Sequence, residues 1–175
     1  MEDKSSLMRK LVSAVIVAAF GLSGTLFAAE SWDSLNAQVI QMYQKKYYTR
    51  AIPVAQRALD VAESDHGSDS PQTVLALNNL AMLYKKTKKY KAAGPLYLRA
   101  LSVSEKLVGP DHPDLSVPLN NLAMYYETLK NYKKADAYSQ RAIRLLETFY
   151  GPDHPNTQEA RQRYDRMRGL RSAAA

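Results

Sequence analysis

Any chemistry this chain performs has to come from few residue types. Glu63, Glu105 and Glu147 recur every 42 residues, as do His112 and His154, and there is no cysteine. A recurring carboxylate could act as a general acid or base, and recurring histidines could ligate a metal or move protons. Neither set converges. One carboxylate per 42 residues reads most simply as an exposed helix residue. The two histidines sit one per copy in Gly109-Pro110-Asp111-His112-Pro113 and Gly151-Pro152-Asp153-His154-Pro155, and His66 falls out of register with them. Without cysteine there is no thiolate nucleophile, thiolate metal site or disulfide. A glycine-rich phosphate loop, a nucleophile elbow and a His-Glu-x-x-His pair are also missing. No catalytic residue, metal or cofactor is therefore expected, and the chain reads as a non-enzyme.

Recognition chemistry is better represented. Asn78-Asn79 opens the run Asn-Asn-Leu-Ala-Met-Leu-Tyr, and Asn120-Asn121 opens Asn-Asn-Leu-Ala-Met-Tyr-Tyr, again 42 residues on. Residues 67–108 and 109–150 align without a gap and match at 17 of 42 positions. Self-similarity at such a period means one supersecondary unit stacked on copies of itself.

The element that repeats is a helical hairpin. Leu77, Leu80, Ala81 and Tyr84 form one stripe of a 3.6-residue period, helix A, and Lys85 to Lys89 interrupt it. Tyr90, Ala93, Leu96, Tyr97, Ala100, Leu101 and Leu107 form a second stripe, helix B. The short polar link makes A and B antiparallel, and their alanines let the backbones approach. Between hairpins, glycine suits the left-handed residue that ends a helix, and the final proline suits the first turn of the next. The Asp, His or Ser between them can cap. Pro53 and Pro95, also 42 apart, lie inside helix B and read as built-in curvature. Pro118 replaces Ala76 and should delay or kink the third helix A.

The remaining segments frame this array. Lys4, Arg9 and Lys10 precede an apolar run from Leu11 ending at Ala28-Ala29, with no acidic residue between Lys4 and Ala29. This reads as a secretory signal peptide over 1–29; an uncleaved anchor over 11–29 is the alternative. The protein is thus expected to be exported, periplasmic or secreted, with membrane association only if the segment is retained. The whole chain carries a net charge of +7. After Pro155, residues 156–170 carry Arg161, Arg163, Arg166 and Arg168 and read as a capping helix with a solvated polar face, or else as an anion-binding patch. Residues 171–175 are expected to fray.

The hairpin resembles the tetratricopeptide repeat, and the Gly-Pro-Asp-His-Pro connector with the Asn-Asn-Leu-Ala run is similar to its kinesin-light-chain variety. Repeat 2 (67–108) supplies Leu77, Leu80, Ala81, Tyr84, Ala93, Tyr97 and Ala100 at the family's key positions. Repeat 3 (109–150) supplies Leu119, Leu122, Ala123, Tyr126, Ala135 and Ala142, with Ser139 where the aromatic belongs. Repeat 1, about 31–66, keeps Leu35, Ala51 and Ala58 and is degenerate in helix A. The resemblance implies an all-α, right-handed solenoid of three hairpins plus a cap. It also implies a concave groove lined by the A helices that holds a peptide or partner helix.

At 100° per residue, Leu75, Asn78, Met82 and Lys85 form a stripe away from the core stripe. Its equivalents are Val117, Asn120, Met124 and Glu127, then Asp33, Asn36, Ile40 and Tyr43. An exposed carboxamide offers donor and acceptor together to a peptide backbone, methionine gives adaptable apolar contact, and Lys85 with Lys86 would attract acidic partners. The asparagines could equally brace neighbouring helices. The expected function is a protein-interaction scaffold of the cell envelope. The alternative is a basic surface, Lys85 to Lys91 with the C-terminal arginines, for an acidic polymer or anionic envelope component. Nucleic acid is not expected as a partner, because stacking aromatics among those charges are few and the leader directs export.

Overall fold

A computed structural model describes residues 31–173, and the signal-peptide or anchor reading of residues 1–29 lies outside them. Among the described residues there are seven α-helices, one 3-10 turn and no strand. The first pair is α1 (Trp32–Gln44) and α2 (Tyr48–His66), the second α3 (Pro71–Lys86) and α4 (Tyr90–Val108). The third pair is α5 (Ser116–Thr128) and α6 (Tyr132–Tyr150), and α7 (Pro155–Ala173) follows. Each helix packs on its neighbours in the chain. The backbones of α1 and α3, and of α3 and α5, also come close to each other, whereas those of α2, α4 and α6 do not.

Close approach within the hairpins comes from the alanines. Ala51, Ala58, Ala93, Ala100, Ala135 and Ala142 are all 2% exposed or less. Around them lie two apolar clusters. One joins Val39, Leu59, Leu77, Leu80 and Leu83, the other Tyr97, Leu119, Leu122, Tyr125 and Leu145. Tyr84 and Leu96 pack against both, so the clusters run together through repeat 2.

The punctuation follows backbone chemistry. Gly67, Gly109 and Gly151 end α2, α4 and α6 with φ of 86°, 87° and 90°, where a side chain would be strained. Ser70 caps α3 by accepting from the Thr73 N–H at 3.1 Å. His112 and His154 do the same work, their Nδ1 atoms accepting from the N–H groups of Asp114 and Asn156 at 3.3 and 3.2 Å. Pro118 has no N–H to give the Asp114 carbonyl, and the entry to α5 tightens into the 3-10 turn Pro113–Leu115.

Two boundaries differ from the sequence reading. The basic link does not begin at Lys85, because α3 continues through Lys86 and leaves a three-residue turn, Thr87 to Lys89. There the N–H groups of Lys88 and Lys89 bond the carbonyls of Lys85 and Tyr84 at 3.1 and 2.8 Å, which satisfies the helix end. The last helix also runs beyond 170 to Ala173, through part of the tail expected to fray. Arg171 accounts for that: its guanidinium bonds Asp136 at 2.7 Å, lies 3.7 Å from Glu127 and sits over the Tyr132 ring.

Gly94 is the tightest point. A Cβ there would fall 2.6 Å from the hydroxyl of Tyr125, which donates to the Tyr90 carbonyl at 2.9 Å and ties α5 to α4. Gly94→Ala is expected to cost about 1–3 kcal/mol, the usual range for overpacking. In a Tyr125→Phe background that cost should shrink, read as a non-additive shift in thermal unfolding; additive shifts would show that the two groups do not meet.

Candidate functional site

The stripe singled out in the sequence lies on the face where α1, α3 and α5 meet. Leu75 and Val117 are its most exposed apolar residues on α3 and α5, at 50% and 64%. Ile40 is also exposed, while Asn36, Tyr43, Asn78, Met82, Lys85, Asn120, Met124 and Glu127 are half-buried. Asp33 and Lys86 are exposed.

A cavity of about 410 Å³ opens between α3 and α5. Leu75, Asn78 and Val74 line one side, Val117 and Pro118 the other, and Ser104, Leu107 and Val108 from the end of α4 close it. A second cavity of about 250 Å³ lies between α5 and α7. It is the first one translated by a single repeat. Ser116 replaces Val74, Val117 replaces Leu75, Asn120 replaces Asn78, and Leu146 replaces Ser104. On the far wall Glu159 replaces Val117 and Ala160 replaces Pro118. Val117 lines both cavities. The first is walled mainly by aliphatic groups, with Asn78, Ser104 and Asp114 as its polar members, while in the second Asn156 replaces Asp114 and Glu159 and Arg163 add charge. Helix α7 thus stands where a fourth helix A would stand.

The asparagines brace the stack. Asn79 donates to the Asn36 side-chain oxygen at 2.8 Å, and Asn121 donates to that of Asn78 at 3.1 Å. Asn78 spends its own amide on the Val74 carbonyl at 3.0 Å. Asn36 and Asn78, 42 residues apart, therefore each accept from the second asparagine of the next repeat. At the end of the ladder Arg163 occupies the position of Asn79 and Asn121 and bonds Glu159 at 2.6 Å instead. Among the described residues no hydrogen bond from α7 reaches the Asn120 carboxamide, which opens on the second cavity.

Other predicted contacts are differently placed. Burial, and then the neighbouring Lys86 charge, lowers the pKa of Lys85. The Lys86 ammonium lies 5.9 Å from the ring centres of both Tyr43 and Tyr48, which themselves pack at 5.2 Å. Glu127 faces Arg171, and the hydrogen bond that Arg171 donates to Asp136 raises the Arg171 pKa against the opposing effect of burial. Met82 and Met124 line neither cavity.

The recurring glutamates are not simply solvated. Glu63 pairs with Arg99 at 2.5 Å, Glu105 with Arg141 at 2.6 Å and Glu147 with Arg161 at 2.7 Å. Each bond links one repeat to the next, or the third repeat to α7. Half-exposed pairs of this kind contribute at most about 1 kcal/mol each. The signal was present in the sequence, since Arg99 and Arg141 share the 42-residue register with the glutamates. Arg161 and Arg163, two of the four arginines of the expected anion patch, are engaged with carboxylates, and so is Arg171 beyond it. Sequence reasoning also missed the α4 residues Ser104, Leu107 and Val108, because the stripe was read along helix A alone. Among the described residues no cluster of His, Cys, Asp and Glu could hold a metal ion.

The tetratricopeptide repeat model matches residues 28–93 and 75–148, and the chain belongs to that family. Such repeats generally mediate protein–protein interaction. The fold is similar to the crystal structure of BtubC (BKLC) from P. vanneervenii, with a TM-score of 0.65 and 18% identity over 82% of this chain and 64% of that one. It is likewise similar to a putative kinesin light chain with nearly identical TPR-like repeats from Podosopora anserina. There the TM-score is 0.67 and the identity 15%, over 77% of this chain and 64% of that one. The chain therefore spans a little under two thirds of either structure's length. No curated protein matches the sequence significantly.

The two asparagines should behave differently. Asn78→Ala leaves the Asn121 amide without its acceptor and is expected to cost about 1 kcal/mol. Asn120→Ala, outside the ladder, is expected to stay within about 0.5 kcal/mol. Thermal unfolding followed by circular dichroism measures both, and equal shifts would contradict the ladder.

Proposed function

We propose that this protein is an interaction scaffold of the cell envelope that holds an extended peptide or partner helix along the face of α1, α3 and α5. The observation that carries this reading is the pair of cavities one repeat apart, sharing Val117 as a wall. A ligand with two suitably spaced side chains fills both, the first with an aliphatic or aromatic group and the second with one that tolerates Arg163, Glu159 and Asn120. Leu75, Asn78, Val117 and Asn120 are the central contacts. Asn36, Ile40, Tyr43, Met82, Lys85, Lys86 and Met124 extend the face toward the helix A to helix B turns, where the lysines favour an acidic ligand end. Glu127 contributes through Arg171. Asn78 serves both purposes: its oxygen is committed to the ladder, while its flank lines the first cavity.

The envelope location rests on the basic, then apolar, leader over residues 1–29, with export to the periplasm or beyond as the proposed route. If that segment stays attached, residues 11–29 anchor the scaffold to a membrane. Among the described residues no helix is long and apolar enough to cross one.

Val117→Glu tests the groove. The side chain is 64% exposed, so folding should survive, while a carboxylate enters both cavities. On an array of extended peptides with an apolar residue scanned through each position, the native chain should select a consistent apolar spacing. The variant should lose at least about tenfold in affinity for those peptides, as burying an unpaired charge requires. Equal retention by native chain and variant would place the ligand elsewhere.

A further inference from the structure

The turns joining helix A to helix B share a feature that the groove does not use. Lys46, Lys88 and Lys130 occupy the same position in each turn with φ of 61°, 62° and 57°. This left-handed conformation favours glycine or asparagine, yet all three copies carry an exposed lysine. This residue closes helix A in every repeat, since the next N–H bonds back to the carbonyl five residues earlier, and the same exposed side chain therefore recurs at each turn.

Charge around these lysines is one-sided. Segments 44–50, 86–92 and 128–134 contain ten lysines and arginines and no aspartate or glutamate. The nearest carboxylates beside the third turn, Glu127 and Asp136, are held by Arg171. Among the described residues, none of the ten has an ion pair to a carboxylate. At the opposite edge, by contrast, Glu63, Asp69, Glu105 and Glu147 are matched by Arg99, Lys106, Arg141 and Arg161. Exposed amphipathic and apolar groups are interleaved with these cations: Tyr47 at 51%, Leu129 at 40% and Tyr132 at 39%.

We propose that this edge docks on an anionic lipid surface, with the three turns laid in a row and Lys46, Lys88 and Lys130 at the headgroups. Lysines attract an anionic leaflet, while tyrosine rings and a leucine enter the headgroup layer, where one end of the ring is wet and the other apolar. A linear polyanion fits less well, because single-strand binders track the backbone along one continuous charged groove, whereas the hollow of about 710 Å³ lined by Lys46, Tyr47, Tyr48, Arg50 and Lys86 joins only the first two turns, and Lys88 and Lys130 lie outside it. The turns lie outside the cavities between α3 and α5 and between α5 and α7, so a docked scaffold keeps those two open. Attachment of this kind does not depend on the leader.

The test uses the full chain and the triple variant Lys46→Asn, Lys88→Asn, Lys130→Asn, since asparagine tolerates the turn conformation. Sedimentation with mixed phosphatidylglycerol–phosphatidylcholine vesicles should show the variant binding roughly 100-fold more weakly, at about fivefold per charge lost. Its melting temperature should hold or rise, and the triple Lys→Arg variant should bind as the native chain does. Tyr47→Ser with Tyr132→Ser should weaken vesicle binding and leave any heparin or single-stranded DNA binding unchanged. Unchanged vesicle binding by the asparagine variant overturns the proposal. So does lysine-dependent binding to heparin or DNA with none to vesicles, which would assign the edge to a polymer.

Discussion

The array is held together by bridges of two different lengths. On the side where α1, α3 and α5 touch, short asparagine side chains bond each other directly, as Asn79 does to Asn36. On the other side the backbones of α2, α4 and α6 stand farther apart, and the gap is spanned by a long arginine reaching a glutamate, as Arg99 does to Glu63. A stack whose spacing is narrow on one face and wide on the other must curve toward the narrow face. The curvature that makes a groove thus follows from which residue types link the repeats, and the cavities lie on the inner side of that curve.

Much of this was legible in the sequence. The 42-residue period gives the hairpin and its copy number, because a hairpin with one apolar face has to bury it on a neighbour. Glycine, proline and the capping His or Ser mark the helix ends because their backbone demands are local. The stripe through Leu75, Asn78, Val117 and Asn120 was legible for the same reason: helical geometry alone decides which residues share a face. What escaped were features that need two separated segments at once. The Glu–Arg links, the partnership of Asn79 with Asn36 and the α4 wall of the first cavity all join residues from adjacent elements. The Arg171 clamp has no repeat equivalent to betray it.

The asparagine pair illustrates how one short run carries two functions. Its second member is a donor that reaches backward along the stack, and its first is the acceptor that receives the next repeat. Only where the following element offers an arginine already paired with Glu159 is the first asparagine released from bracing. Asn120 is in that position, beside a cavity whose polar lining differs from its predecessor's. Repetition supplies the scaffold, and departure from repetition supplies the chemical distinctness of one site.

Val117 gives the two cavities a common partition. A valine within a helix is held close to one side-chain rotamer, so this partition is fixed in place. For a ligand that reaches both chambers, the partition works as a gauge of intervals that rewards the correct distance between two anchors. Selectivity then resides in spacing more than in the identity of any one residue.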